Sequence, residues 1–371
     1  MEALKQPTTH WLDLNRKLKE RSSSDSPFTP ISHFDRHLYQ DFFRKAGNYA
    51  CYGNSWTYIT QACRGLGSGL GLKYHDGKSL LSIGSHDGHY VVVRPLGRIN
   101  KQVIRVLDVL TELSGKPVFI KKVFPDQAIR LFELGTFQEA IRRRTVDAEP
   151  LPGEYLWHPT SFADDDTFPE IILDVNVTLR YDASPKKWLQ YFHACRKSPL
   201  SREKLNQLFR RYLKFRSKVN KFACSGTRYS LVDYNTEKAT EVRRFLVEHF
   251  GEQDSENIQA YENMLLKPPL GNNGHSFFSF ATYLDRDTLP KAFFVAETLD
   301  SRSAGLYAAV ASRCCRGLSE YLHVEVLSRL KRQGIRYLNL GGSEVRSLHE
   351  FKLKFGPIEE RDMQLLVYGV R

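Results

Sequence analysis

The sequence predicts an α/β (α+β) fold in two domains, each a mixed sheet flanked by helices, and three observations carry that prediction. With 371 residues the chain exceeds what one hydrophobic core usually organises. The stretch from Gly317 to Pro357 reads as helix, strand, glycine pair and helix without interruption. The order hairpin, helix, strand occurs in both halves, which suggests a duplicated unit although no residue-level repeat accompanies it. The expected division is a flexible segment over 1–34, a first domain over 35–185 and a second over 186–371 that opens with a basic helical segment.

The C-terminal stretch is the most legible. Leu318, Leu322, Val326, Leu327 and Leu330 recur at helical spacing, and Arg329, Lys331, Arg332 and Gly334 suit the helix end. Ile335 to Leu340 alternates as a strand, and Gly341 and Gly342 follow where the backbone must bend or let a ligand approach. A helix leading into a strand implies parallel pairing in an α/β layer. Leu348, Phe351 and Phe355 then fall on one apolar face of a last helix ended by Gly356 and Pro357. On it Glu350 stands four residues before Lys354, in the favourable order for a surface pair. Lys352 has no acidic residue three or four positions away, so its charge is available for a ligand or for solvent.

The run YLNLGGSEVRSLHEFKLKFGP, preceded by YLHVEVLSRLKRQG, resembles the closing motif of the phosphatidylglycerol lysyltransferase C-terminal family and, more distantly, of the Fem peptidoglycan-bridge transferases. Mid-chain, Asp164, Asp165, Asp166, Thr167, Phe168, Pro169 and Glu170 precede IILDVNVTL, similar to the family's Pro-Glu strand leading into a basic helix. The pattern from Phe42 to Leu96 looks familial as well, so the likeness covers most of residues 35–365. The resemblance implies two tandem GNAT-like domains and transfer of an amino acid from aminoacyl-tRNA. It places the lysine of a Phe-Lys pair at the reaction centre, and the matching positions here are Phe351 and Lys352; beside it, Gly341, Gly342 and Phe351 are candidate substrate contacts.

Elsewhere the signals are structural. The polar segment before Phe34 holds a short helix around Trp11 to Leu18. Gly65, Gly67, Gly69 and Gly71 match neither G-x-G-x-x-G nor G-x-x-x-x-G-K-[ST] and read as a loop. Leu80 to Ile83 and His89 to Val93 flank Asp87-Gly88 as a hairpin, followed by a helix over Val103 to Leu113 and a strand over Pro117 to Ile120. Ser276 to Thr282, Ala292 to Thr298 and Leu306 to Ala311 read as strands. His275 and Tyr307, on two of these, are candidate substrate contacts in a cleft.

Charge is lopsided. Lys and Arg (54) exceed Asp and Glu (42), a formal +12, and residues 186–222 alone hold twelve cations against the single acid Glu203. Arg211, Lys214, Lys218 and Lys221 recur as one stripe, while Leu205, Leu208, Tyr212, Phe215, Val219 and Phe222 face inward. Mere solvation normally mixes both signs, so the stripe points to a polyanion, here the tRNA backbone. No run of eighteen apolar residues and no signal-peptide core is present, and six cysteines without a Cys-x-x-Cys pair fit reduced thiols, so a cytoplasmic protein is expected. Cys224 beside Ser225 and Gly226 reads as a buried thiol. No His, Cys, Asp or Glu group has metal-ligand spacing, and no cofactor is expected beyond aminoacyl-tRNA as cosubstrate.

The leading reading is therefore an aminoacyl-tRNA-dependent aminoacyltransferase, in which an amine or hydroxyl of an acceptor attacks the activated ester. That reaction needs alignment and charge stabilisation and no obligate nucleophile or metal. The resemblance admits a small metabolite or a lipid as acceptor, and the lack of a spanning segment tilts the expectation to a soluble one. One alternative is an acyl-CoA-dependent GNAT N-acyltransferase, whose pyrophosphate loop would read R/Q-x-x-G-x-G/A; here Arg316 and Leu318 stand at the glycine positions counted from Arg313. The other is a nonenzymatic RNA- or membrane-surface module, which leaves the glycine pair and Lys352 unexplained.

Overall fold

The structure, a computed structural model, describes residues 28–47, 50–63, 71–86, 89–139, 141–142, 156–157, 168–196, 199–233, 239–251, 258, 277–284, 287–313, 315–343 and 346–369. In chain order these form β1 (Phe28–Pro30), α1 (Arg36–Ala46), α2 (Trp56–Ala62), β2 (Leu72–His75), β3 (Ser79–His86), β4 (His89–Gly97), α3 (Lys101–Ser114), β5 (Val118–Val123) and α4 (Pro125–Leu134). The strands β6 (Phe137–Glu139), β7 (Ile141–Arg142), β8 (Leu156–Trp157) and β9 (Glu170–Asp174) lead into α5 (Val175–Thr178), α6 (Pro185–Cys195) and α7 (Arg202–Ala223). Then come β10 (Tyr229–Asp233), α8 (Ala239–Phe250), β11 (Phe277–Leu284), β12 (Ala292–Asp300), β13 (Ser303–Ala311) and α9 (Leu318–Arg332). The chain closes with β14 (Tyr337–Asn339), α10 (Arg346–Leu353), β15 (Glu359–Arg361) and β16 (Gln364–Tyr368).

Two compact units result: residues 1–48, 53–159 and 362–371, and residues 49–52 and 160–361. The first holds a sheet in the order β1-β2-β3-β4-β5-β16-β6, the second a sheet in the order β10-β11-β12-β13-β14-β9-β15. This differs from a division at 185/186. β9 pairs antiparallel with β14 and with β15, so the Glu170 strand is built into the second sheet, while β16 pairs with β5 and β6 of the first. Such exchanges depend on partners far apart in sequence and leave no local mark.

In each unit a parallel pair is spanned by a helix, and in the first β7 and β8 pair parallel as well. In the first, β4 and β5 run parallel across α3, whose N-cap Asn100 accepts from the N–H groups of Gln102 and Val103. In the second, β13 and β14 run parallel across α9, as the helix-then-strand reading requires. The core of the second unit gathers Leu318, Leu322, Val326, Leu327 and Leu330 of α9 with Leu208, Tyr212, Phe215, Val219 and Phe222 of α7, all buried, and Leu205 is partly so. The inward face expected of the basic helix is therefore the face that packs.

The last helix turns differently from its periodicity. Leu348 is 36% exposed, and His349 and Leu353 are the buried positions of α10. Phe355 is fully buried just past its end. Cys224 is exposed at the C-cap of α7, not a buried thiol. The N-terminal helix, the glycine run Gly65 to Gly69 and the Asp87-Gly88 turn lie outside the described residues. Among the described residues no helix is long and apolar enough to cross a membrane.

Gly317, which begins α9, shows how tightly α7 and α9 meet: its φ is +92°, and a Cβ there would lie 2.4 Å from the Lys218 carbonyl oxygen. Gly334, past the other end of α9, has φ +79° with open space around it. Gly334→Ala should therefore cost about 1 kcal/mol, the left-handed backbone penalty alone. Gly317→Ala, which must also separate two helices, should cost about 3 kcal/mol or more. Denaturant melts of the two variants against the parent protein measure the difference.

Candidate functional site

The end of β14 is a buried strand terminus whose backbone still bonds Ile171 of β9 but needs further partners where the chain turns. Asn339, fully buried, supplies them with one side chain. Its Nδ2 donates to the Ala50 carbonyl at 2.7 Å and to Glu170 Oε2 at 2.8 Å, and its Oδ1 accepts the Gly341 N–H at 2.8 Å. Gly341 takes a left-handed backbone (φ +70°), which glycine adopts without strain. The turn is pinned from the other side by the Gly341 carbonyl, which accepts from Ile171 N–H at 3.1 Å. Ala50 is held in turn: its N–H donates to Asp300 Oδ2 at 3.2 Å and Ser303 Oγ at 3.0 Å, and its carbonyl also accepts from Arg361 Nη1 at 3.2 Å. The Leu340–Ser343 turn is thus a fixed surface.

Lys352, on α10, reaches back over this turn and donates from Nζ to the Gly342 carbonyl. The sequence expectation left its charge for a ligand or solvent; the structure ties it to the glycine pair. One turn earlier His349 stacks on Phe168, ring centroids 4.9 Å apart and 18° from parallel, and its Nε2 lies 4.0 Å from Glu360 Oε2. Phe168 also bridges to Ser343, donating its N–H to the Ser343 carbonyl at 3.0 Å. Phe351, half-buried, sets its ring against Phe355 and the buried His323.

Beside α10 the stripe of α7 supplies cations. Lys218 pairs at 2.9 Å with Glu320, which is only 3% exposed in the first turn of α9, and Lys354 lies 3.8 Å from the same carboxylate. Lys354 thus takes Glu320 and not the expected Glu350, because the packing of α7 and α9 brings a buried carboxylate within its reach. Burial lowers the Lys354 pKa, and the charges of Lys218 and Lys214 lower it further against the pull of Glu320. Burial likewise lowers the His349 pKa; Glu360 opposes this, while Lys352 and Arg211 reinforce it. Arg211 of α7 in this way acts on His349, and Lys214 and Lys218 act on Lys354. Lys214 and Lys221 are exposed, and Arg211 and Lys218 are half-buried.

The remaining candidates fall elsewhere. Tyr307 is buried on β13, donating to Glu297 at 3.1 Å with its ring 5.1 Å from Tyr52, so it serves the interior of the second unit. His275 lies outside the described residues, as do Asp164 to Thr167. Sequence reasoning did not single out Asn339, Arg361, His349 or Glu320, which the structure ties respectively to the Leu340–Ser343 turn, to Ala50, to Phe168 and to Lys354. Asn339 lies in the closing run YLNLGG, and its signal was a polar residue in an apolar strand.

Residues 191–368 match the family model described as Phosphatidylglycerol lysyltransferase, C-terminal, so the resemblance read from the closing motif holds. Among solved structures, a conserved protein of unknown function from Bacteroides thetaiotaomicron VPI-5482 aligns with TM-score 0.62 at 14% identity, covering 92% of this chain and 98% of that one. FemX aligns with TM-score 0.52 at 11% identity over 93% of this chain and 97% of its own. L-PGS from Bacillus licheniformis aligns with TM-score 0.46 at 13% identity over 90% and 91%. The first two likenesses show the fold, the tandem GNAT-like α/β architecture expected from the sequence. No curated protein matches the chain.

His323 gives the interior of this unit a pH signature. Burial pushes its pKa down to about 4, only partly offset by the Ser319 carbonyl that accepts its Nδ1–H at 2.7 Å. The folded state thus binds this proton less readily than the unfolded chain. The neutral ring's contribution is fully present above about pH 6.5, shrinks as pH falls, and is lost through about pH 4. The loss should be on the order of 3 kcal/mol. Stability measured from pH 7 to 4 should fall less steeply for His323→Phe, which keeps the stacking on Phe355 and has nothing to protonate.

Proposed function

We propose that the chain is an aminoacyl-tRNA-dependent aminoacyltransferase, moving an amino acid from charged tRNA to an amine or hydroxyl of a small metabolite or lipid. The observation that supports this best is the convergence of Lys352, at the Gly341–Gly342 turn, with the cations of α7 in the segment that matches the lysyltransferase family model. An aminoacyl ester already carries the driving force, so the protein has to align two substrates and stabilise the negative charge that develops on the carbonyl oxygen. The acceptor nitrogen or oxygen bonds to the ester carbonyl carbon, the bond to the ribose oxygen breaks, and the acceptor's proton ends on that oxygen. Lys352 sets a cation beside the terminal phosphate or the oxyanion. Arg211, Lys214, Lys218 and Lys221 take the phosphate backbone by charge without reading sequence.

The acyl-CoA alternative asks for a free helix N-terminus after β13 to receive pyrophosphate. In this unit the start of α9 is packed against the Lys218 carbonyl, and the buried carboxylate of Glu320 stands in its first turn. An anion there would meet the protein's own carboxylate, which argues for a donor carried elsewhere.

The test is to incubate the purified protein with total tRNA charged with each labelled amino acid and a cell extract. Selective loss of label from one charged tRNA, with its appearance in a new product, is the expected result; no discharge, alongside turnover of acyl-CoA, would replace the reading. Lys352→Ala should cut transfer by about 100-fold or more while the thermal melt stays in place. Charge reversal of Arg211 and Lys214 together should weaken tRNA binding and make the log–log salt dependence shallower by about one to two.

A further inference from the structure

We propose that His349 is the proton acceptor for the attacking amine or hydroxyl, with the Ser343 hydroxyl as a second polar contact to that group; this rests on the aminoacyl transfer proposed above. Two buried polar atoms flank the Leu340–Ser343 turn without any hydrogen-bond partner: His349 Nδ1, on a residue 9% exposed, and Ser343 Oγ, on a residue with no exposure. Burying a polar atom unpaired is costly, and two such atoms beside one turn mark a place where a ligand's donor completes the bonding. Phe168 joins them, pairing its backbone with Ser343 and stacking its ring on His349.

The imidazole is oriented for the task. Glu360, 4.0 Å from Nε2, favours the proton on that nitrogen and leaves the Nδ1 lone pair bare. The ring also sits one helical turn before Lys352, whose ammonium lies on the Gly342 carbonyl. Every charge facing it has a sign that can be stated. Glu360 on β15 and Glu350 on its own helix favour the charged ring, whereas burial, Lys352 on its own helix and Arg211 on α7 favour the neutral one. The balance keeps the ring neutral at pH 7, which is the state a base needs before the reaction. In the step itself the acceptor's N–H or O–H proton passes to Nδ1 as the new bond to the carbonyl carbon forms. The ester bond then breaks, and the imidazolium returns the proton to the ribose oxygen.

The experiment compares the parent protein with His349→Gln and Ser343→Ala, using labelled bulk charged tRNA, a metabolite and lipid extract as the source of acceptors, and hydroxylamine as a second nucleophile. His349→Gln should lower transfer to extract acceptors by about 100-fold or more. Its affinity for charged tRNA should hold within about twofold, the sign that it folds and binds the donor. Hydroxylamine, a neutral and strong nucleophile at pH 7, should restore its discharge of charged tRNA above the rate seen without protein, because it needs little help in losing a proton. The acid limb of the parent's pH–rate profile should vanish in the variant, and Ser343→Ala should show a smaller loss of about tenfold. Undiminished transfer by His349→Gln overturns the proposal. So does a variant that binds charged tRNA normally yet is not rescued by hydroxylamine, since that loss does not concern the proton. If the parent itself discharges no charged tRNA to either nucleophile, the aminoacyltransferase reading falls and takes this one with it.

Discussion

The second unit depends on a buried side-chain amide. Asn339 stands where β14 stops, and a strand that stops inside a protein leaves backbone groups that water cannot reach. One amide satisfies a donor at Gly341, an acceptor at Ala50 and the carboxylate of Glu170 at once. Because two of these partners, Ala50 and Glu170, come from distant stretches, the same residue also helps to hold β9 and the 49–52 segment in place. The turn it fixes is the turn on which Lys352 rests, so the geometry of the cation is inherited from an interaction in the core. A leucine at 339 would fill the space but remove the acceptor for the Gly341 N–H and one donor each from the Ala50 carbonyl and Glu170, a costly change among buried polar atoms.

Glu320 plays the corresponding part for charge. A carboxylate in the first turn of a helix is favoured by the helix dipole, and at 3% exposure it needs a cation beside it. Lys218 provides one at 2.9 Å, and Lys354 adds a second at 3.8 Å. One acid among so many cations neutralises only part of their charge. The rest of the α7 stripe, with Lys214 and Lys221 exposed, keeps its field directed to solvent, and that field also lowers the proton affinity of Lys354 and His349.

The elements of this fold were readable where one residue type repeats at one period. Helices α3, α7 and α9, the β3–β4 hairpin and the parallel β13–β14 pair all follow from local apolar spacing, with the helix between the parallel strands as the clue to their direction. The unit boundary was not readable, since β9 and β16 each join a sheet through partners far away in sequence. The face of α10 was misread for a related reason. Leu348, Phe351 and Phe355 satisfy a helical period, but the helix ends at Leu353 and the stacking of Phe168 draws His349 inward, leaving Leu348 at the surface. Of the candidate site, the motif gave Gly341, Gly342 and Lys352. It gave nothing about Glu320 or Arg361, whose roles are set by what packs over them.

On the aminoacyl transfer proposed above, electrostatics would link the donor and the acceptor sides of this unit. His349 is kept neutral partly by Arg211 and Lys352, the cations that a polyanion on α7 and the glycine turn would engage. Phosphates seated on those cations cancel part of their field at the ring, and the imidazole then takes up a proton more readily, with Glu360 stabilising the charge that results. Before a polyanion arrives, the same field holds the base proton-free; once it has arrived, the field no longer opposes protonation. On the transfer proposed above, Arg211 would then do more than raise affinity, because neutralising it would ease protonation of His349, alongside the larger effects of burial, Glu360 and Lys352. That coupling needs no movement of the backbone, only partly buried charges close enough for their field to reach the ring.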